Sequence, residues 1–374
     1  MHIQRVDLAR RRDVSRFVEF PFRLYRDDPL WVPPFVHEAR AELDPDRHPF
    51  YEHSEAAFFL ALSEGSVLGR LAVLDNRRYN EHHGARTAWF YHFDAVDDRA
   101  VARALFDAGF DWARGRGLDR IWGPKGLSHI DGQGILVEGF EHRPAMGIPY
   151  NYPYYAGLLE AAGLEKRIDF LSWYLDREIG FPQHFLEVAD KVKRRRGYRS
   201  LVTGNKDDLW DYIPQVLTVY NDAFKEVQGF VPVTEAEGLA IGKRILSIAD
   251  PELFSLLFRG EELIGFVLAY PDISAALQRC RGHLWPMGWV HVMRELRRTR
   301  WININGMGIL ERHRGLGGNA LLYSELYRIL IDHPQYEFAD LIQIQETNVR
   351  IFQEMEALGT RAWKTHRMFE RSLG

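Results

Sequence analysis

The sequence predicts an α/β (α+β) protein in which one arrangement of strands and helices occurs twice. Three observations carry that expectation. Short apolar runs of strand length alternate with amphipathic helical patterns along the 374 residues. Landmarks in the two halves keep almost one offset. Gly69 in VLGRLAV answers to Gly265 in LIGFVLA, 196 positions on, and Leu-Glu-Ala-Ala-Gly ending at Gly163 answers to Met-Glu-Ala-Leu-Gly ending at Gly359, again 196 on. Asn151 and Asn348 differ by 197. Finally, an apolar run (Ile304 to Leu310) leads through Arg312, Arg314, Gly315, Gly317 and Gly318 into a helical pattern with Leu321, Leu322, Leu326 and Ile329 on one face. Separated landmarks that hold register indicate duplication of a whole domain. The expected domains are 1–175 and 198–374, with a linking helix in 176–197.

In the first half, His2 to Val6 reads as a strand and Arg11 to Tyr25 as an amphipathic helix. Pro29, Pro33 and Pro34, with Trp31 between them, break any helix. Phe58–Leu62 and Val67–Leu74 flank Ser63-Glu64-Gly65-Ser66, a hairpin signal. Thr87–Phe93 is a further strand, and Ala100–Arg114 a helix ended by Gly115 and Gly117. A short strand follows at Leu118–Trp122, then a glycine-rich loop from Gly123 to Pro149 and a helix at Tyr154–Ala162. The second half restarts the order. Phe181–Arg196 is the linking helix, Tyr198–Thr203 a strand and Leu209–Phe224 a helix. Phe254–Phe258 and Leu263–Tyr270 form a hairpin, and the arginine loop and its helix follow. Phe338–Gln345 is a strand and Arg350–Leu358 the final helix.

Composition excludes several classes. Hydrophobic residues make up 46% and aromatic residues 13%, enough for packed cores. The net charge of −4 exerts no general attraction for nucleic acid, so no DNA partner is expected. Cys280 is the only cysteine, which points to a reducing compartment. Apolar runs are too short to span a bilayer, and the arginine-rich N-terminus has no apolar leader segment. A cytoplasmic protein is expected. An oligomer is not indicated. The fifteen histidines are scattered without metal-ligand spacing, so no metal is expected.

A strand, a glycine-rich turn with arginines and a helix start together form a cradle for phosphate. Glycines let the chain approach the anion, the first helical N–H groups point at it, and the macrodipole favours negative charge there. The arginines add charge-assisted hydrogen bonds. No Lys-Ser/Thr follows the glycines, so this is not a P-loop, nor is it the G-x-G-x-x-G fingerprint. The spacing instead resembles motif A of the Gcn5-related N-acetyltransferases (GNAT), R/Q-x-x-G-x-G/A. Arg312-His313-Arg314-Gly315-Leu316-Gly317 matches it letter for letter. Arg314-Gly315-Leu316-Gly317-Gly318-Asn319 ends in Asn but phases better with the leucines that follow. In the second half, Gln345–Asn348, a helix and then Leu358-Gly359 resemble GNAT motif B. In the first half, FPFRLYRDDPLWVPP, GPKGLS and YNYPYY resemble a bacterial group of tandem GNAT-like proteins.

The resemblance implies two tandem GNAT-like domains, each a mixed, mostly antiparallel sheet flanked by helices. It implies acetyl-CoA or another acyl-CoA as co-substrate, its pyrophosphate at Arg312, Arg314, Gly315, Leu316, Gly317, Gly318 and Asn319. The pantetheine arm would add to the strand by backbone pairing at Gly308, Ile309 and Leu310. Asn348 would face the cofactor or serve as a plain helix N-cap. The corresponding first-half stretch, Asp94-Ala95-Val96-Asp97-Asp98-Arg99, has three carboxylates and no glycine. Like charge costs about 1 kcal/mol per pair in water and more when buried, so the first domain is read as having lost the cofactor.

Acyl transfer to an amine needs a base, oxyanion stabilisation and an acid for the thiolate. Related enzymes place that acid, a Tyr, seven residues after the motif B Asn. Met355 stands there in this chain, and Tyr323 or a water is the substitute. Glu346, at a strand end, is the candidate base or a solvated loop residue. Tyr220, Asn221 and Glu226 are acceptor-site candidates. His129 and Asp131 in GLSHIDGQG do not make a triad, because sequence neighbours seldom meet in that geometry. The stretch Trp285 to Trp301, with Arg294, Arg297, Arg298 and Arg300, reads as a membrane-surface helix, a lid, or a packed helix with a basic face. Lys193–Arg196 reads as a helix-end cap or an RNA contact.

The expected function is acyl-CoA-dependent N-acyl transfer to an unknown small-molecule or peptide amine, with CoA on the second domain. The first domain would complete the acceptor pocket. The alternatives are a non-catalytic acyl-CoA-binding sensor or scaffold, and an aminoacyl-tRNA-dependent transferase.

Overall fold

The computed structural model describes residues 1–128, 130–314 and 317–374. In chain order, the first half contains β1 (His2–Arg5), α1 (Arg11–Leu24), α2 (Val36–Ala41), β2 (Glu55–Ser63), β3 (Ser66–Asp75), α3 (Arg77–His83) and β4 (Thr87–Ala95). It continues with α4 (Arg99–Arg114), β5 (Arg120–Gly123), β6 (Ile135–Glu138), α5 (Tyr155–Ala161) and β7 (Glu165–Asp176). Then come α6 (Gln183–Arg196), β8 (Tyr198–Leu201), α7 (Lys206–Asp211), α8 (Ile213–Ala223), α9 (Glu235–Ile248), β9 (Phe254–Arg259) and β10 (Glu262–Pro271). The chain ends with α10 (Ser274–Cys280), α11 (Gly288–Leu296), β11 (Trp301–Ile309), α12 (Gly318–Asp332), β12 (Phe338–Gln345), α13 (Val349–Ala357) and β13 (Arg361–Ser372).

These elements group into two units, neither of them contiguous in sequence. One comprises Met1–Leu171, Ser274–Arg294 and Trp363–Gly374; the other comprises Ser172–Ile273 and Glu295–Ala362. The boundaries expected near 175 and 198 therefore differ from the units in two excursions of the later chain.

In the first unit the strands lie in the order β1-β2-β3-β4-β5-β13. The β2–β3 hairpin closes at Ser63↔Ser66 through Glu64 and Gly65, both at positive φ (50 and 81). That is the backbone a two-residue primed turn demands, and its twist matches the strands. β4 and β5 are parallel, and β13 is antiparallel to β5. Helix α4 lies tightly on the sheet: a Cβ on Gly109 would stand 2.8 Å from a Val73 methyl, and one on Gly69 2.8 Å from a Leu105 methyl. Leu71, Val73, Phe90, Val101, Leu105, Phe106 and Phe110 form the buried core between them.

The second unit runs β12-β11-β10-β9-β8, with β9, β10 and β11 antiparallel and β11 parallel to β12. Leu257, Ile264, Val267, Ile302, Leu321, Leu326, Ile329 and Met355 are buried there. The duplication shows in the backbone. Gly163 after α5 and Gly359 after α13 take nearly the same left-handed φ (+80 and +78).

The helix expected over Leu209–Phe224 is two helices, α7 and α8, with Pro214 in the first turn of α8, where its missing N–H costs no helical bond. Helix α9 starts from a capping box, Thr234 with Glu237, whose spacing is present in the sequence. Strand β6 lies inside the expected glycine-rich loop, and β7 and β13 lie in stretches with no expected element.

Strand β13 is anchored in the first unit by charge. Arg367 gives two hydrogen bonds to Asp169 (2.8 and 2.9 Å), and Lys166 approaches the same carboxylate at 2.7 Å. Burial pushes that carboxyl up, but these bonds outweigh burial and hold it below its ordinary range. Next to it, His366 is wholly buried and its Nε2–H donates to the Pro149 carbonyl at 2.9 Å. Burial pushes its pKa down to about 4. The unfolded imidazole titrates near 6.5, so the fold binds the neutral ring. That stabilisation is complete above about pH 6.5 and is lost as the pH falls toward 4, by up to about 3 kcal/mol. Urea unfolding of wild type across this window should show the decline, and His366→Gln should flatten it.

Candidate functional site

The site begins where two parallel strands stop pairing. β11 and β12 are in register from Trp301↔Phe338 to Ile304↔Leu341. β11 continues through Asn305–Ile309 and β12 through Ile342–Gln345, with no register between those ends among the described residues. The cause lies on the other side of β11. Leu268 pairs with Gly306 and Ala269 with Ile304, so Asn305 is an extra residue in a β-bulge. A bulge bends its strand and increases the twist, which turns the far half of β11 away from β12. The Asn305 amide donates to the Tyr270 hydroxyl at 2.9 Å and fixes the bulge in place.

At the end of β11 the chain passes through Leu310 and a short turn, Glu311–His313, to Arg314. The C-terminal end of α8 supports this turn. Asp222 accepts the Glu311 N–H at 2.6 Å, and that bond holds its carboxyl below the usual range. Arg314 donates to the Ala223 carbonyl and lies 3.7 Å from Glu226. Arg312 pairs with Glu262. His313 is buried and bonded to the Tyr198 hydroxyl at 2.7 Å, and burial, then Arg312, lower its pKa. Helix α12 then starts from Gly317, at φ +88, an N-cap residue with no side chain to take a helical N–H. Val192 of α6 sits over Gly317, where a Cβ would come within 2.3 Å of its methyl. Helix α6 thereby brings the basic run Lys193–Arg196 to the loop, and the Arg196 charge is felt by His313.

The same stretch in the first unit is closed. β4 and β5 also pair only from Thr87↔Arg120 to Trp89↔Trp122, and β4 carries its own bulge. There, however, the Lys125 N–H bonds back to the Phe90 carbonyl at 3.0 Å. Helix α4 is capped by the Asp98 carboxylate on the Ala100 N–H at 2.7 Å. Asp94 is held by Arg70 (2.7 Å) and Tyr25 (3.0 Å). An anion at this helix start would face a carboxylate that already occupies it.

No family model matches the chain. Among curated proteins, "Protein YghO" of Escherichia coli (strain K12) is 27% identical over 369 residues, which is 97% of this chain and 94% of that protein. The "Bacterial ceramide synthase" of Caulobacter vibrioides is 29% identical over 371 residues, 96% of this chain and 95% of that one. Among solved structures, a tandem GNAT protein from the clavulanic acid biosynthesis pathway superposes with a TM-score of 0.57 at 14% identity, covering 100% of this chain and 99% of that one. The chain carries the tandem GNAT fold.

The expected residues that the structure describes fall as follows. Gly308 faces Ala223 at the end of α8 and Phe224 just after it, which stand 3.1 and 3.2 Å from where its Cβ would be. Its lack of a side chain thus serves close packing. Ile309 pairs with Gly265, and the Leu310 N–H is spent on the Ile264 carbonyl at 2.8 Å. Gly315 and Leu316 lie outside the described residues, as does His129. Gly318 allows α12 to rest on β11, since a Cβ there would meet Ile309 at 2.1 Å.

Asn319 and Tyr323, one turn apart on α12, both turn to Glu354 of α13. The Asn319 amide reaches the two carboxylate oxygens at 3.1 and 3.0 Å, and the buried Tyr323 hydroxyl donates at 2.6 Å. Burial and the Glu354 charge push the Tyr323 pKa upward. Asn348 caps α13 by accepting the Ile351 N–H at 3.3 Å, and Met355 is wholly buried. Glu346 is half-buried in the turn between β12 and α13. Tyr220 stacks on Phe224, and burial pushes its pKa up to about 12. The Asn221 amide bridges the Val233 backbone at 2.8 and 3.1 Å. Glu226, exposed, faces Arg314. Arg312, Arg314, Gly317 and Glu226 are therefore gathered at the loop, whereas Asn319, Tyr323 and Asn221 hold the fold's own bonds. Sequence reasoning missed Asp222, Glu354 and the position of α6; only the basic run of α6 left a signal.

Gly317→Ala places a side chain at positive φ and against Val192, and should cost about 2 kcal/mol. Val192→Ala in the same chain should restore part of the loss and leave the backbone strain, measurable as a double-mutant cycle in denaturant.

Proposed function

We propose that this GNAT-fold protein is an acyl-CoA-dependent N-acyltransferase whose Arg312–Asn319 loop holds the CoA phosphates. The observation that carries the reading is the parting of β11 from β12 beside an α12 start capped by glycine. An extended arm can lie along the free edge of β11, and a pyrophosphate can meet open helical N–H groups with Arg312 and Arg314 beside them. The first unit has the parted strands without the open helix start, which supports a single CoA site per chain. The relative named as a bacterial ceramide synthase supports a substrate class. A ceramide is the amide of a fatty acid with a long-chain amino alcohol, so the reading extends from acetyl-CoA to a fatty acyl-CoA donor and a long-chain amine.

In this reaction the amine nitrogen attacks the thioester carbonyl, the C–S bond breaks, and the ammonium proton passes to the departing thiolate. N–H groups on the free edge of β11 would meet the oxyanion. Glu346, at the mouth of the parted strands, would accept the proton. Met355 has no proton to give, and the Tyr323 hydroxyl is bonded to Glu354, so the thiolate would be protonated from the ammonium through Glu346 or water. The buried Met355 also favours a second reading, an acyl-CoA binder without transfer.

Thermal unfolding with acetyl-CoA and with palmitoyl-CoA, on wild type and Arg314→Glu, tests binding. A ligand at about a hundred times its Kd stabilises by roughly 2.7 kcal/mol, a shift of a few degrees. The shift should be present in wild type and lost in the variant. Release of CoA thiol in the presence of a long-chain amino alcohol then tests transfer. Binding without thiol release would favour the second reading, and no shift with either donor would sink both.

A further inference from the structure

The segment Ser274–Arg294 is fastened to the first unit along one side and bare along the other. On the fastened side, Ser274, Ala276 and Leu277 are buried, and the Gln278 amide donates to the Pro29 and Trp31 carbonyls at 2.8 and 3.1 Å. Gly282 accepts the Val36 N–H at 3.0 Å and, at φ +69, lies so close that a Cβ would stand 2.1 Å from the Pro34 carbonyl. In α11, Gly288 and Val292 form the buried face.

The other side is apolar and exposed. Trp285 is 81% exposed, Met287 62%, Trp289 51% and Met293 47%. Trp289 and Met293 are one turn apart on α11 and share a face, and Trp285 and Met287 are exposed in the turn that leads into it. The expectation of a packed helix with a solvated basic face therefore holds for Val292 but not for the tryptophans. Arg279, Arg281 and Arg294 in the same segment are exposed, and no carboxylate occurs from Ile273 to Arg294. In a chain of net charge −4 this is a local reversal of sign.

We propose that the Trp285–Met293 face seats the protein on an anionic phospholipid bilayer. Tryptophan rings settle at the headgroup level, the methionines reach into the acyl boundary, and the arginines pair with anionic headgroups. Charge complementarity selects this occupant over a second copy of the chain, because a symmetric contact would bring the same arginines face to face. Helix α11 has nine residues and lies in the surface plane without crossing it. Among the described residues no helix is long and apolar enough to cross a membrane. The assignment stands apart from the acyl-transfer reading and is tested without any donor or acceptor.

The test is flotation of the full chain with vesicles of phosphatidylcholine alone and with about 30% phosphatidylglycerol. Wild type should partition onto the anionic vesicles at least about tenfold better than onto the neutral ones. Trp285→Ser with Trp289→Ser, and separately Arg281→Glu with Arg294→Glu, should each lower that partitioning by about tenfold or more at an unchanged melting temperature. If the tryptophan pair proves misfolded, Met287→Glu with Met293→Glu, at exposed positions, gives the same comparison. Wild type that stays with neither vesicle, or a well-folded tryptophan variant that floats like wild type, overturns the proposal. So does a loss of self-association in that variant without any vesicle binding by wild type, which would make the face a contact between copies.

Discussion

One extra residue, Asn305, shapes the second unit. By bulging β11 against β10 it ends the parallel pairing with β12 after Ile304 and leaves the far half of the strand with an open edge. Everything assigned to the site depends on that opening. The glycines at 306 and 308 lie just beyond it, and the space above Gly308 is taken by Ala223 and Phe224, so α8 rests on the strand at the point where it turns. Asp222 and Arg314 then tie the end of α8 to the turn after β11. A bend in the backbone, a helix packed on it and two polar ties form one mechanical unit.

The two units share the parted strands, and helix capping makes the difference between them. Helix α12 starts from a glycine, which has no side chain to cap it, whereas α4 starts from Asp98, whose carboxylate takes the Ala100 N–H. The framework is thus shared, while the helix start is a neutral glycine in one unit and a carboxylate in the other. The Asp94 network with Arg70, Tyr25 and Tyr155 in the first unit uses the neighbouring position for internal bonding.

Several polar residues that look functional in sequence hold the fold together. Glu354 gathers Asn319, Tyr323 and Arg350 and thereby fastens α13 to α12. Asn221 closes the loop at Val233 in the same manner. Their chemistry is shared with catalytic groups, and only the partner each one meets separates the two uses. Conversely, the basic end of α6 reads in sequence as a helix-end cap or an RNA contact, and Val192 seated on Gly317 puts it beside the arginine loop.

The sequence by itself determined the duplicated order of elements, the hairpin at Glu64-Gly65, the strand–loop–helix around Arg312 to Gly318, and the contrast between glycine and aspartate at the two helix starts. Each is written in local terms: periodicity, turn chemistry and the charge of adjacent residues. Tertiary structure alone decided where β13 pairs, which face of α11 is bare, and that β11 and β12 part. Strand partners far apart in sequence are chosen by burial and register, which no local pattern encodes, so Arg367 meets Asp169 across 198 positions without a signal in either neighbourhood.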